Sequence, residues 1–177
     1  MKQFVLSFIC ISCYFFLGAQ DVHELARTGT VDQMKDYLAQ DSMAINRLND
    51  RGISPFVLAC YRGNNDVAKF LLDKGANVTY CAAEGSALYG MVFKNNIEML
   101  EYFLSKGYSP DDTCQFQQFG TALHMAMSLK RYEIIDTLLK YKASLAIKDP
   151  QGRDIKSLTL FYNDEKLTRI INKYEKD

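Results

Sequence analysis

Tryptophan is absent from the 177-residue chain, histidine occurs twice and proline three times. Two histidines, His23 and His124, leave little for a histidine-built metal centre or a nucleophile–base pair, because such sites need several ligand or catalytic side chains together. Net charge is missing too: 21 basic side chains balance 21 acidic ones, which argues against a general nucleic-acid binder. Glycine-rich phosphate loops are missing; LDKGAN and LSKGYS follow apolar stretches instead of opening helices. DPQGRD, at 149–154, lacks the spacing and terminal glutamate of a calcium loop and reads as a turn. The five cysteines are not spaced as a disulfide framework. No cofactor is expected. What remains is 48% hydrophobic and 24% charged, a composition that folds as one domain.

The only long apolar run is at the start, MKQFVLSFICISCYFFLGAQ. A basic Lys2, an apolar stretch from Phe4 to Leu17 and the small residues Gly18 and Ala19 describe a secretory signal peptide over 1–19. The run is short for a membrane span, which needs about 20 apolar residues. Leu17 stands where a cleavage site prefers a small residue, so an uncleaved anchor is the alternative. Cys10 and Cys13 read as small hydrophobes of this segment. The chain is expected to be exported, periplasmic or extracellular, and to touch a membrane only if residues 1–19 are retained.

The rest of the chain repeats itself. RGISPFVLACYRGNNDVAKFLLDKGAN (51–77), AEGSALYGMVFKNNIEMLEYFLSKGYS (83–109) and QFGTALHMAMSLKRYEIIDTLLKYKAS (118–144) superimpose. Ser54, Ser86 and Thr121 head them, 32 and 35 residues apart. A weaker copy starts near Asp154 and a degenerate one precedes them all at 21–41. Each copy reads as helix, turn, helix, loop. Ser54, Ser86 and Thr121 are placed to cap the first helix, and Pro55 suits its first turn. Gly63 ends that helix, with Asn95 and Lys130 in the same slot of later copies. Gly75 and Gly107 supply the turn after the second helix; Lys142 stands there in the third clear copy, at some cost in stability. Two short helices cannot enclose a core, so the copies must stack and share one. Cys60 then reads as a buried free thiol.

These segments resemble ankyrin repeats. GISPFVLACYRG with FLLDKGAN, SALYGMVFKN with YFLSKGYS, and TALHMAMSLK with TLLKYKAS carry the family's box and its paired leucines (Phe-Leu in the second), with the closing glycine in the first two. The resemblance implies an all-α solenoid of about five helix-turn-helix units, near 21–49, 50–81, 82–116, 117–148 and 149–177, in one domain over 20–177. Departures are plain: Val57 and Tyr89 stand in the slot of His124, and Lys156 in a leucine slot. By the resemblance His124 is structural, hydrogen-bonded along its turn and to a neighbouring unit, while His23 is a capping or surface residue. The interval through SPDDTCQFQQF is long and swells one loop. In a stack, neighbouring loops lie close. Cys81 and Cys114 then either bridge or remain two free thiols.

The family touches partners at loop tips and at the ends of inner helices. The implied tip positions here are Asp50, Arg51, Ile53, Gln117, Gln118 and Gln151. The implied helix-end positions are Tyr61 and Arg62, Phe93 and Lys94, Ser128 and Leu129, Phe161 and Tyr162. Aromatic side chains and arginine suit a protein interface; packing against the next unit is the competing use of these aromatics. The expected function is a non-enzymatic, monomeric module that binds a protein partner, not nucleic acid. An inhibitor or immunity-like protein for an exported enzyme or toxin is a narrower version. An enzyme or metal-binding accessory protein is the alternative of a different class.

Overall fold

The computed structural model describes residues 21–83, 85–112, 114 and 119–175. The expected signal segment and the tip residues Gln117 and Gln118 lie outside the described residues. The described chain forms five helix pairs: α1 (Val22–Thr28) with α2 (Val31–Gln40), α3 (Pro55–Arg62) with α4 (Asn65–Asp73), α5 (Ala87–Phe93) with α6 (Ile97–Ser105), α7 (Ala122–Ser128) with α8 (Tyr132–Lys140), and α9 (Ile155–Tyr162) with α10 (Glu165–Tyr174). A 3-10 turn at Ser42–Asn46 follows the first pair. An isolated bridge pairs Ala82 with Gly85.

Pairs stack in chain order, α1 on α3, α3 on α5 and α5 on α7 in the inner row, with α2, α4, α6, α8 and α10 as the outer row. The local reasons repeat from pair to pair. The Ser54, Ser86 and Thr121 hydroxyls accept the amides of Val57, Tyr89 and His124, and the Asp154 carboxylate accepts that of Ser157. Each cap satisfies an amide that the helix cannot pair internally, contributing about 1 kcal/mol. The slot closing the inner helix demands a left-handed backbone, with φ 75° at Gly63, 54° at Asn95, 52° at Lys130 and 47° at Asn163. Asparagine tolerates this region; lysine does so at a cost of about 1–2 kcal/mol.

Packing follows from spacing. Val67 and Leu71, Met99 and Phe103, Ile134 and Leu138, and Leu167 and Ile171 recur at helical intervals and are buried in one continuous core. Fully burying one such side chain stabilises the fold by about 2 kcal/mol. That core runs from Val22 to Ile171 without interruption by a linker. Gly90 is needed for contact: a Cβ there would lie 2.8 Å from the Tyr61 ring. No helix among the described residues is long and apolar enough to cross a membrane.

Candidate protein-binding surface

Inner helices α3, α5, α7 and α9 each end in the helix-end slot, followed at once by the left-handed turn. That geometry lifts the side chain of the slot off the core. Phe93 is 56% exposed and Phe161 70% exposed, while Ser128 is exposed as well. Tyr61 is half-buried: its ring lies over Gly90 and reaches the Phe93 ring, with centroids 6.4 Å apart. Phe161 meets Tyr162 edge-on at 5.6 Å and the Arg153 guanidinium at 5.7 Å. Arg62 and Lys94 are exposed, whereas Leu129 and Tyr162 are half-buried. The competition between display and packing therefore divides by residue: Phe93 and Phe161 are displayed, and Tyr61 does both.

The tip residues divide too. Asp50, Arg51 and Gln151 are exposed. Ile53 is only 6% exposed and belongs to the core, so its expected place on the tip is wrong. The Asn49 side chain accepts the Arg51 and Ile53 amides, which closes the tip and turns the Ile53 side chain inward. The equivalent turn at 149–154 is held by Asp149, which accepts the Gln151 and Arg153 amides and the Arg153 guanidinium. Burial pushes the Asp149 carboxyl up, but these donors outweigh it and hold the pKa below the usual carboxylate value. DPQGRD is a closed turn whose two acids are already engaged, Asp149 with Arg153 and Asp154 with the Ser157 amide.

The two histidines differ in surroundings. Thr121 donates its amide to His124 Nδ1 at 3.2 Å, so Nε2 carries the proton and donates to the Arg153 carbonyl at 3.4 Å. Burial, and secondarily the Arg153 charge, push the His124 pKa down against the Arg153 carbonyl and nearby carboxylates. Tyr89, in the same slot of the preceding unit, donates its hydroxyl to the Gly120 carbonyl. Gly120 and Arg153 each precede the cap of the following inner helix, so the two different side chains do one job. Of the two places expected for His23, capping or surface, the surface one is excluded. It is 3% exposed, with Nδ1 on Asp21 and Nε2 2.9 Å from the Arg47 carbonyl.

Cys81 and Cys114 are joined as a disulfide, closing the loops on either side of the third unit. Cys60 is a buried free thiol, and burial pushes its pKa up, away from the reactive thiolate. No group of three or more His, Cys, Asp or Glu side chains is arranged to hold a metal among the described residues. An open hollow of about 420 Å³ lies on the outer side, lined by Leu38, Ile45 and Phe70 with Lys35 and Lys74. Sequence reasoning missed Leu160, which is 81% exposed. Its counterparts Cys60, Val92 and Met127 are buried by a following unit, and no described unit follows α9. Its place in the final copy was the available signal.

Comparison with known proteins agrees with this architecture. A family model described as ankyrin repeats (many copies) matches residues 37–89, and a second, described as ankyrin repeat, matches residues 120–150. BCL-6 corepressor-like protein 1 of Homo sapiens is 31% identical over 137 residues, covering 77% of this chain and 7% of that protein. Tyrosine-protein kinase HTK16 of Hydra vulgaris is 29% identical over 142 residues, 77% of this chain and 19% of its own length. Putative ankyrin repeat protein FPV014 of Fowlpox virus is 27% identical over 124 residues, 70% of this chain and 28% of its own length. The chain thus spans only a minor part of each relative it matches.

Proposed function

Since this chain belongs to the ankyrin-repeat family, a group of non-catalytic interaction scaffolds, we propose that it is an exported module that binds a protein partner across its inner-helix ends and loop tips. The observation that carries the reading is the display of Phe93 and Phe161, 56% and 70% exposed, in the same slot of two units. Large rings kept in water at an equivalent position cost solubility, and burial against a partner recovers it. Tyr61, Arg62, Lys94, Ser128, Leu129 and Tyr162 extend the surface along the helix ends, and Asp50, Arg51 and Gln151 extend it to the tips.

Export has separate support. The amino-terminal segment carries the pattern of a signal peptide. The Cys81–Cys114 bridge is at home in an oxidising compartment and out of place in a reducing one.

Affinity capture with a Phe93→Ser/Phe161→Ser variant tests the surface. The expected result is one specific protein retained by the wild type and lost from a variant that melts at the same temperature. Retention of the same protein by the variant removes the proposed surface. Intact mass of the exported protein tests the leader: a chain lacking residues 1–19 is expected, and a full-length chain in the membrane fraction is the contrary result.

A further inference from the structure

The chain is electrically neutral as a whole, but beyond α1, which carries Glu24, its acids are sorted between the two helix rows. Each outer helix opens with an acid in its first turn: Asp32, Asp66, Glu98, Glu133 and Glu165. Inner helices α3, α5, α7 and α9 contain no aspartate or glutamate at all. Burial between units explains why their first turns exclude carboxylates. It does not explain the exposed ends, where water would accept either sign. Those ends carry Arg62, Lys94 and Lys130.

Of these bases, Lys130 is committed to Asp164 at 3.2 Å. Arg62 and Lys94 make no ion pair among the described residues. They flank the Tyr61–Phe93 ring pair, one base immediately after each ring. The Lys94 stem also lies against the turn at Gly63, next to Arg62. A helix C-terminus favours a base on electrostatic grounds, which accounts for Arg62 and Lys94 singly but not for an aromatic beside each, half-buried Tyr61 and exposed Phe93. Among the described residues, Glu24 is paired with Arg27, Asp149 with Arg153, and Asp50 stands at a tip.

We infer that the α3–α5 part of the inner surface takes an acidic segment of a partner protein, its carboxylates meeting Arg62 and Lys94 and an apolar side chain lying on the Tyr61–Phe93 pair. A basic segment would place like charge against two uncompensated cations, and a purely apolar one would bury them without partners. Both arrangements are unfavourable. The inference rests on the protein-binding reading above and narrows it to one partner chemistry.

The test uses two synthetic peptides that alternate leucine with glutamate or leucine with lysine, titrated against the full exported chain by fluorescence anisotropy, with amide chemical-shift mapping. The glutamate peptide is expected to bind, to shift amides around 61–62 and 93–94, and to weaken as salt rises from about 0.05 M to about 0.3 M. The charge-reversed Arg62→Glu/Lys94→Glu variant is expected to bind it about tenfold less; an Arg62→Gln/Lys94→Gln variant serves if the reversed one does not melt like the wild type. Equal or tighter binding of the lysine peptide overturns the inference. So does absence of glutamate-peptide binding, or shifts confined to the outer hollow at Leu38 and Phe70. A captured natural partner lost from Phe93→Ser/Phe161→Ser but indifferent to Arg62→Glu/Lys94→Glu leaves the protein-binding reading standing and removes the acidic one. Indifference to both sets of substitutions removes both.

Discussion

The junction between the second and third units and the junction between the third and fourth solve the same packing problem with different chemistry. At the first, Phe56 stacks on Phe103 with centroids 6.3 Å apart, and the Tyr61 ring fills the space that Gly90 leaves. Its outer side is laced with charge: Lys69 pairs with Glu98, while Tyr102 and Lys106 converge on Asp73 at 2.6 and 2.8 Å. At the second junction no ion pair joins α6 to α8 among the described residues. Hydrogen bonds take over, from the Tyr89 hydroxyl to the Gly120 carbonyl and from the Ser144 amide to the Asp111 carboxylate, while the Cys81–Cys114 bridge ties the loops on either side of the third unit. The bridge ties the loop before the third unit to the long loop after it. A long connection has more freedom to lose on folding, and a cross-link made before folding has already removed part of that freedom. Apolar stacking is common to both junctions; what is added to it varies with the length of the connection.

Cutting the covalent link should have the largest effect. The bridge joins residues 33 apart, and its loss in Cys81→Ser/Cys114→Ser should cost about 3 kcal/mol, read as a lower denaturant midpoint. A midpoint unchanged in both variant and reduced protein would mean that the long loop needs no cross-link. At the other junction, Gly90→Ala drives a methyl against the Tyr61 ring and should cost about 2 kcal/mol. A neutral outcome would show that Tyr61 can swing clear, making it more a surface residue than a packed one.

His124 extends the comparison to the next junction. His124→Ala removes a partner of the Thr121 amide and the link to Arg153, at about 1–2 kcal/mol. Because burial holds the folded pKa below the unfolded value, the unfolded chain binds the proton more readily. The stability His124 contributes is therefore whole above about pH 6.5 and is lost as pH falls below that and through the folded value. Thermal melts between pH 7 and pH 5, relative to His124→Ala at each pH, should show the difference shrinking with acidification; a constant difference contradicts it. Tyr89→Phe should cost about 1 kcal/mol, the expense of a buried Gly120 carbonyl left without its donor.

The smallest effect belongs to the charged outer side. Glu98 is held below the usual carboxylate range by hydrogen bonds from Lys69 first and Asn65 next, together with the Lys69 charge. A carboxylate with a depressed folded pKa stabilises above its unfolded value and loses that contribution as pH falls through the folded one. The pair faces water, so Glu98→Gln should move the melting point only slightly, and added salt should erase the difference. A large, salt-insensitive shift would mean that the outer charges matter as much as the stacked rings.

Much of the stack was legible because its causes are local. Ser54, Ser86 and Thr121 announce helix starts, and the paired apolar positions of α4, α6 and α8 announce buried faces. Partner choice across space was not legible. His23 read as a capping or surface residue because nothing local shows that the Arg47 carbonyl waits for it. Ile53 looked like a tip because its sequence slot is one, yet the Asn49 turn directs it inward. The exposure of Phe93 and Phe161 was readable only as one of two uses until the left-handed turns after them had a position.

Residue order alone determined the number of repeating units, the caps, the left-handed slots at Gly63, Asn95 and Lys130, and the absence of acids from α3, α5, α7 and α9. Each depends on a few neighbouring residues and on backbone geometry that any copy obeys. Tertiary structure alone decided that Cys81 meets Cys114, that Tyr61 lies on Gly90, that Tyr89 and His124 reach equivalent carbonyls one unit on, and that Arg62 and Lys94 flank the Tyr61–Phe93 ring pair. Those are meetings of residues about 30 apart in the chain, and only stacking, driven by apolar area that no single unit can bury, brings them within reach.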